Sequence, residues 1–184
     1  GVKVTLYRED YRALSREKVA DVETGADGRF AFPDVPGPAA GRGLALVAAR
    51  AGRQSLVWAL WGDSVSKPLT MSMRPATTLQ GRVTDAAGKP VVGARVWASY
   101  LESGPVDGVL SAVTDADGRY AITDMGKWTD DDTKPKPFGE GRMTMLGGCF
   151  FDVRHPDYGH ERPMYRSMPA TVNVTLQPGG VIEG

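Results

Sequence analysis

The strongest constraint on this chain is an alternation of period two. Apolar and polar residues alternate in Val2-Lys3-Val4-Thr5-Leu6, in Leu69-Thr70-Met71-Ser72-Met73-Arg74 and in Val172-Asn173-Val174-Thr175-Leu176. Successive side chains of a strand point to opposite faces, so each segment offers one face to a core and the other to water. One-sided strands of this kind belong to antiparallel sheets. The 23 Gly and 13 Pro among 184 residues punctuate the pattern with turns and leave little room for long helices. Residues 43–51 and 54–61 are apolar on both faces and read as central strands, parted by a turn at Gly52-Arg53. Residues 9–18, where Tyr11, Leu14 and Lys18 fall at helical spacing, are the one stretch that could be helical, but they are short and highly charged, which disfavours a helix.

The alternation is repeated. Thr24-Gly25-Ala26-Asp27-Gly28-Arg29-Phe30 matches Thr114-Asp115-Ala116-Asp117-Gly118-Arg119-Tyr120 at an offset of 90 residues. Gly1-Val2-Lys3-Val4 matches Gly93-Ala94-Arg95-Val96 at 92, and residues 69–75 match 172–178 at 103. Two copies of one unit follow, the second carrying about 13 extra residues after Ile122. Each Ala-Asp-Gly-Arg reads as a tight hairpin in which Asp accepts from the turn backbone and Gly takes a positive φ. The strand Leu79-Gln80-Gly81-Arg82-Val83-Thr84 has no counterpart before Gly1, so copy one lacks its first strand. Residues 178–184 match 75–81 and read as the opening of a third copy. The expected domains are 1–76, a sandwich without its first strand; 77–178, a full sandwich with an insertion at about 125–146; and 179–184, the start of a third repeat.

Three motifs in order carry a resemblance: Gly81-Arg82-Val83-x-Asp85, Gly88-Lys89-Pro90-Val91-x-Gly93-Ala94-x-Val96 and Thr114-Asp115-Ala116-Asp117-Gly118-Arg119-Tyr120-x-Ile122. Together they resemble the carboxypeptidase regulatory-like domain. The resemblance implies an all-β chain of tandem transthyretin-like (Ig-like) antiparallel β-sandwiches. It also implies a non-catalytic accessory module of the kind found beside peptidases and in surface proteins, although a fold alone never assigns a function.

Charge and composition remove several classes. The 22 basic and 22 acidic side chains balance, which leaves no basic footprint for nucleic acid. No apolar run reaches membrane-spanning length. The single Cys149 excludes an intrachain disulfide and a multi-cysteine zinc site, and its place beside Phe150-Phe151 predicts a buried thiol. Met71 and Met73 alternate inward as core filling.

The remaining candidates are aromatics, acids and histidines. Trp97 points opposite to Val96 and Ala98, hence outward, where an exposed ring would stack a sugar or a partner chain. In the insertion Trp128 and Phe138 bracket Asp130, Asp131 and Asp132, and a connection of that length is functional or irregular. These six residues form the expected ligand-binding set. The segment His155-Pro156-Asp157-Tyr158-Gly159-His160 invites comparison with intradiol dioxygenases, which share the sandwich. The resemblance to them fails at the ligands, because that family binds iron through two Tyr and a His pair spaced two apart on one strand. Here the two His are five apart with Pro156 and Gly159 between them, which reads as a polar loop.

The sequence therefore predicts a structural and binding array of a larger exported or surface protein, with no catalytic residue, metal or cofactor. Its expected partners are neighbouring repeats and a protein or glycan, and its expected place is extracellular, at the cell surface or periplasmic. The alternatives are a carbohydrate- or peptide-recognition module using the exposed aromatics, and a metal-dependent enzyme of the intradiol-dioxygenase type at His155 and His160.

Overall fold

The computed structural model describes residues 1–10, 15–33, 35, 42–60, 68–99, 106–127, 136–138, 143–145, 149–165 and 171–180. The chain divides into two units, Gly1–Ala76 and Thr77–Gly184.

In the first unit the N-terminal alternation becomes β1 (Lys3–Asp10), followed by β2 (Ser15–Glu23), β3 (Arg42–Ala49) and β4 (Leu56–Leu60). They form one antiparallel sheet in the order β2-β1-β3-β4. No helical turn forms over 9–18 among the described residues, since residues 9–10 and 15–18 are strand. Charge pairing across the hairpin explains the outcome. Arg8 faces Glu17 and Glu9 faces Arg16, and both pairs make ion contacts, Arg8 to Glu17 at 3.4 Å. Opposed charges on neighbouring strands stabilise the pairing. Tyr11 and Leu14 lie outside the described residues. A second expectation is half met. β3 is a central strand with residues 43–48 buried on both faces. β4 is instead the edge of this sheet, with Trp58 41% exposed.

The second unit comprises β5 (Ala76–Asp85), β6 (Arg95–Ser99), β7 (Ser111–Val113), β8 (Arg119–Gly126), β9 (Lys136–Phe138), β10 (Met143–Met145), β11 (Cys149–Arg154), β12 (Met164–Tyr165) and β13 (Val174–Leu176). One sheet has the order β12-β11-β6-β7 and the other β13-β5-β8. Their apolar alternations bury Val96, Phe151 and Val153 from the first and Leu79, Val83, Ile122, Val174 and Leu176 from the second. The expected register holds: Ala94, Val96, Ile122, Val172, Val174 and Leu176 are all 7% exposed or less, while Arg95 and Asn173 face water. The fold is all-β. One pairing departs from the antiparallel expectation, because β13 runs parallel to β5. β13 arrives by crossing from the other sheet rather than through a hairpin, and a crossover permits parallel pairing.

Glycine is required where β13 meets β5. A Cβ on Gly81 would lie 1.8 Å from the Val172 carbonyl oxygen. In the second unit the turns are closed by the Asp three residues before Gly, and not, as expected for Ala-Asp-Gly-Arg, by Asp117 beside it. The Asp85 carboxylate accepts from the Ala87 and Lys89 amides (2.9 and 2.8 Å), and that of Asp115 from Asp117 and Arg119 (2.9 and 2.8 Å). In the first unit Gly25 stands at the position of Asp115, and Asp27 accepts instead from the Arg29 amide at 3.0 Å. The insertion also departs from an irregular loop: Lys136–Phe138 and Met143–Met145 pair antiparallel as a hairpin.

The four-stranded sheets of the two units have the same strand order. The strand that opens at Gly1 (β1) and the strand that follows Gly93 (β6) each sit between the next strand of their unit and a later one. The orders β2-β1-β3-β4 and β7-β6-β11-β12 correspond position by position.

Candidate functional site

A concave feature lies within the first unit. Val4, Leu6, Leu44, Leu46 and Leu60 present a buried apolar face of the sheet. Against it pack Phe30 and Phe32, with rings edge to face at 6.1 Å, and Leu69, Met71 and Met73. These side chains are only half-buried and bound a groove of about 1000 Å³. The rim is polar and carries Asp27, Arg29, Arg50 and Arg53, with Arg29 set 3.5 Å from Asp27.

Phe30, Phe32 and residues 69–73 lie outside the strands of the sheet. Among the described residues no backbone hydrogen bond holds 30–32 or 69–73. An apolar groove between unpaired backbone segments can take up apolar side chains and pair with a backbone.

The expected ligand-binding set fares differently. Trp97 lies on the face opposite Val96 as anticipated, yet it is only 8% exposed. The Arg154 guanidinium lies 5.9 Å from its ring centre, and the indole N–H has no partner among the described residues. Arg154 is fixed there by Asp152, which accepts from Nε at 2.6 Å and from Nη2 at 3.1 Å. Trp97 is thus packing beneath an ion pair and offers no stacking platform. Phe138 sits on β9 opposite Met143 in the hairpin register. Trp128, Asp130, Asp131 and Asp132 lie outside the described residues.

The histidines are separated by their partners. His155 Nε2 donates to the Val92 carbonyl (3.1 Å) and Nδ1 accepts from the Asp157 amide (3.2 Å), so both ring nitrogens are engaged. Tyr158 packs edge-on against this ring at 5.2 Å. His160 turns instead to Asp152, 3.1 Å away, and Tyr165 packs on Phe151. Among the described residues no group of three or more His, Cys, Asp or Glu is placed to hold a metal ion. Cys149 is buried. Tyr120 is the one strongly perturbed acid: burial, with the nearby Tyr165 and Cys149 adding to it, pushes its phenol well above the ordinary range. Its hydroxyl donates to the Val172 carbonyl at 2.7 Å, a bond that holds the parallel strand.

The groove was not named as a site from the sequence. Its signal was the inward alternation of Met71 and Met73.

Residues 78–129 match the carboxypeptidase regulatory-like domain family. No curated protein matches the chain. Among solved structures, catechol 1,2-dioxygenase from Pseudomonas arvilla C-1 is 17% identical over 58% of this chain and 53% of its own, with a TM-score of 0.40. Hydroxyquinol 1,2-dioxygenase from Pseudomonas putida DLL-E4 is 13% identical over 59% and 58%, with a TM-score of 0.41. The chain therefore spans little more than half the length of these enzymes. The shaft pilin spaA from Lactobacillus rhamnosus GG is 12% identical over 99% of this chain and 93% of its own, with a TM-score of 0.39. These likenesses assign no chemistry to the chain.

Proposed function

We propose that the chain is a non-catalytic structural and binding segment of a larger exported or surface protein, built from tandem sandwiches of the carboxypeptidase regulatory-like type. The observation that carries this reading is how the polar side chains are used. Asp85 and Asp115 close turns, His155 spends both nitrogens on backbone, Asp152 holds Arg154 and His160, and Tyr120 pins a strand. Groups arranged for catalysis would converge on a cleft with shifted acidities, whereas these tie the backbone together. The matching strand orders of the two units support the tandem reading, with residues 1–76 and 77–178 as successive copies and 179–184 opening a third. Stiff sandwiches would then space and present their connecting loops, including the insertion with Trp128 and Phe138, to a neighbouring repeat, a protein or a glycan.

Two measurements test the reading together. Fractionation of the source cells with an antibody to this chain is expected to find it outside the cytoplasm or at the surface. Elemental analysis and a catechol ring-cleavage assay on the purified protein are expected to find neither bound metal nor turnover. A stoichiometric metal lost on His155→Ala and His160→Ala, with ring cleavage that follows it, would overturn the proposal in favour of the enzyme.

A further inference from the structure

The outer face of the sheet β12-β11-β6-β7 gathers arginines that the fold does not need. Alternation sends Arg95 of β6, Phe150, Asp152 and Arg154 of β11 and Val113 of β7 to the side opposite the buried Val96, Phe151 and Val153. The register sets Arg95 directly opposite Arg154 on one side and opposite Val113 on the other. Like charges directly opposite on neighbouring strands destabilise a sheet, so folding gains nothing from the arginine pair. Arg162 is a third cation on this face. It is exposed, its guanidinium lies 5.2 Å from the Phe150 ring centre, and it has no carboxylate partner among the described residues.

Charge and apolar surface together narrow the partner. The three arginines meet two carboxylates, Asp152 and Asp107. Asp152 is already spent: its side chain is 12% exposed, and it is shared by Arg154 at 2.6 Å and His160 at 3.1 Å. Asp107 lies 3.6 Å from Arg95 with both side chains exposed, a weak pair that an incoming carboxylate can replace. A guanidinium matches a carboxylate through two parallel N–H bonds, and resting on an aromatic ring leaves its donors free for them. At the two lateral edges of the same face stand exposed aliphatic side chains, Val113 (60%) on β7 and Met164 (48%), opposite Phe150, on β12. A sulfated or uronate glycan has anions for the arginines and nothing apolar for Val113 and Met164. A peptide of acidic and aliphatic residues serves both.

We propose that this face docks an acidic peptide segment of a partner protein, which sets carboxylates on Arg95, Arg154 and Arg162 and aliphatic side chains on Val113 and Met164. The inference rests on the reading of the chain as a structural and binding segment, and it adds a surface made of strands to the connecting loops. Asp152 holds Arg154 in place for this contact, while Trp97 stays buried beneath and does not touch the peptide.

The test is titration of the full chain with the labelled peptide Glu-Glu-Val-Glu-Glu-Leu-Glu-Glu, read by anisotropy. Saturable binding is expected, and it should weaken about tenfold between about 50 and 500 mM salt as exposed charges are screened. Arg95→Gln and Arg162→Gln should each weaken it about threefold and together about tenfold, the size of exposed ion pairs. Arg95→Gln also removes the opposed like charges, so it should hold or raise the melting temperature. Arg119→Gln takes the same charge from the other sheet and should leave binding unchanged. Val113→Ser with Met164→Ser should weaken the peptide about threefold or more. No saturable binding, an equal loss for Arg119→Gln and Arg95→Gln, or a lowered melting temperature for Arg95→Gln would overturn the inference. So would a heparin octasaccharide that binds more tightly than the peptide and ignores the Val113 and Met164 changes, since the face would then serve a glycan. If the peptide fails while the chain is exported and metal-free, this inference falls and the structural reading stands. Bound metal with turnover strikes that reading without reference to this face.

Discussion

Gly81→Ala is a severe test of the pairing between β5 and β13. The added methyl would sit 1.8 Å from the Val172 carbonyl oxygen, 2.7 Å from its carbon and 2.8 Å from the Tyr120 hydroxyl. Ordinary contact begins near 3.5 Å, so the Val172 backbone must withdraw by about 1.5 Å. Two hydrogen bonds resist that movement, from the Val172 amide to Gln80 (3.1 Å) and from the Tyr120 hydroxyl to the Val172 carbonyl (2.7 Å). Losing both costs about 1 kcal/mol each, and overpacking strain adds about 1–3 kcal/mol. The expected total is about 3–5 kcal/mol, or a fall in melting temperature of more than about 10 °C for a unit of this size. Gly88→Ala is the control: Gly88 has φ +79° but nothing within 4 Å of a Cβ. It should therefore lose only the left-handed penalty of about 1–2 kcal/mol. Guanidinium denaturation gives the free energies, and hydrogen exchange at Val172–Leu176 locates the damage. A loss for Gly81→Ala no larger than that for Gly88→Ala would refute the reasoning, because steric closure rather than backbone conformation is what the structure makes costly.

Four further outcomes follow from the same geometry. Tyr120→Phe should cost about 1–3 kcal/mol, since the buried Val172 carbonyl loses its donor. The folded phenol also titrates above its unfolded value of about 10, so it contributes stability present below pH 10 and lost as pH rises beyond it; Tyr120→Phe should flatten that alkaline loss in denaturation curves. Trp97→Ala should destabilise the second unit by about 3–5 kcal/mol without altering binding of any partner, and a binding loss at unchanged stability would restore the stacking role. Asp115→Ala, which frees two turn amides, should cost more than Asp27→Ala, which frees one, and equal melting temperatures for the pair would contradict this. Trp128→Ala should leave the melting temperature nearly unchanged while abolishing recognition if the insertion binds a partner, whereas lost stability with retained binding would end that role.

Much of the candidate groove could be read before the fold was known, but only in pieces. Met71 and Met73 were assigned inward by alternation, and the first copy lacked a counterpart of residues 79–84. What could not be read was that Phe30–Phe32 and Leu69–Met73 would then stand unpaired on either side of one cavity. That depends on how strands distant in sequence are placed beside each other. The helical spacing of Tyr11, Leu14 and Lys18 does not decide residues 9–18 for a similar reason, since the Arg8–Glu17 and Glu9–Arg16 pairs that favour a hairpin exist only once two strands lie side by side.

What the sequence determined by itself is local. The period of two assigned each side chain to a face, so Val96, Ile122 and Val174 are buried while Arg95 and Asn173 are not. Asp followed three residues later by Gly set the turns at Asp85 and Asp115, because a carboxylate reaches its own following amides whatever the rest of the chain does. The tertiary structure alone decided the parallel entry of β13, the edge position of β4 and the burial of an outward-facing Trp97 beneath an Arg154 that Asp152 holds in place. Backbone geometry imposes the alternation residue by residue, but the choice of neighbour is made across long loops.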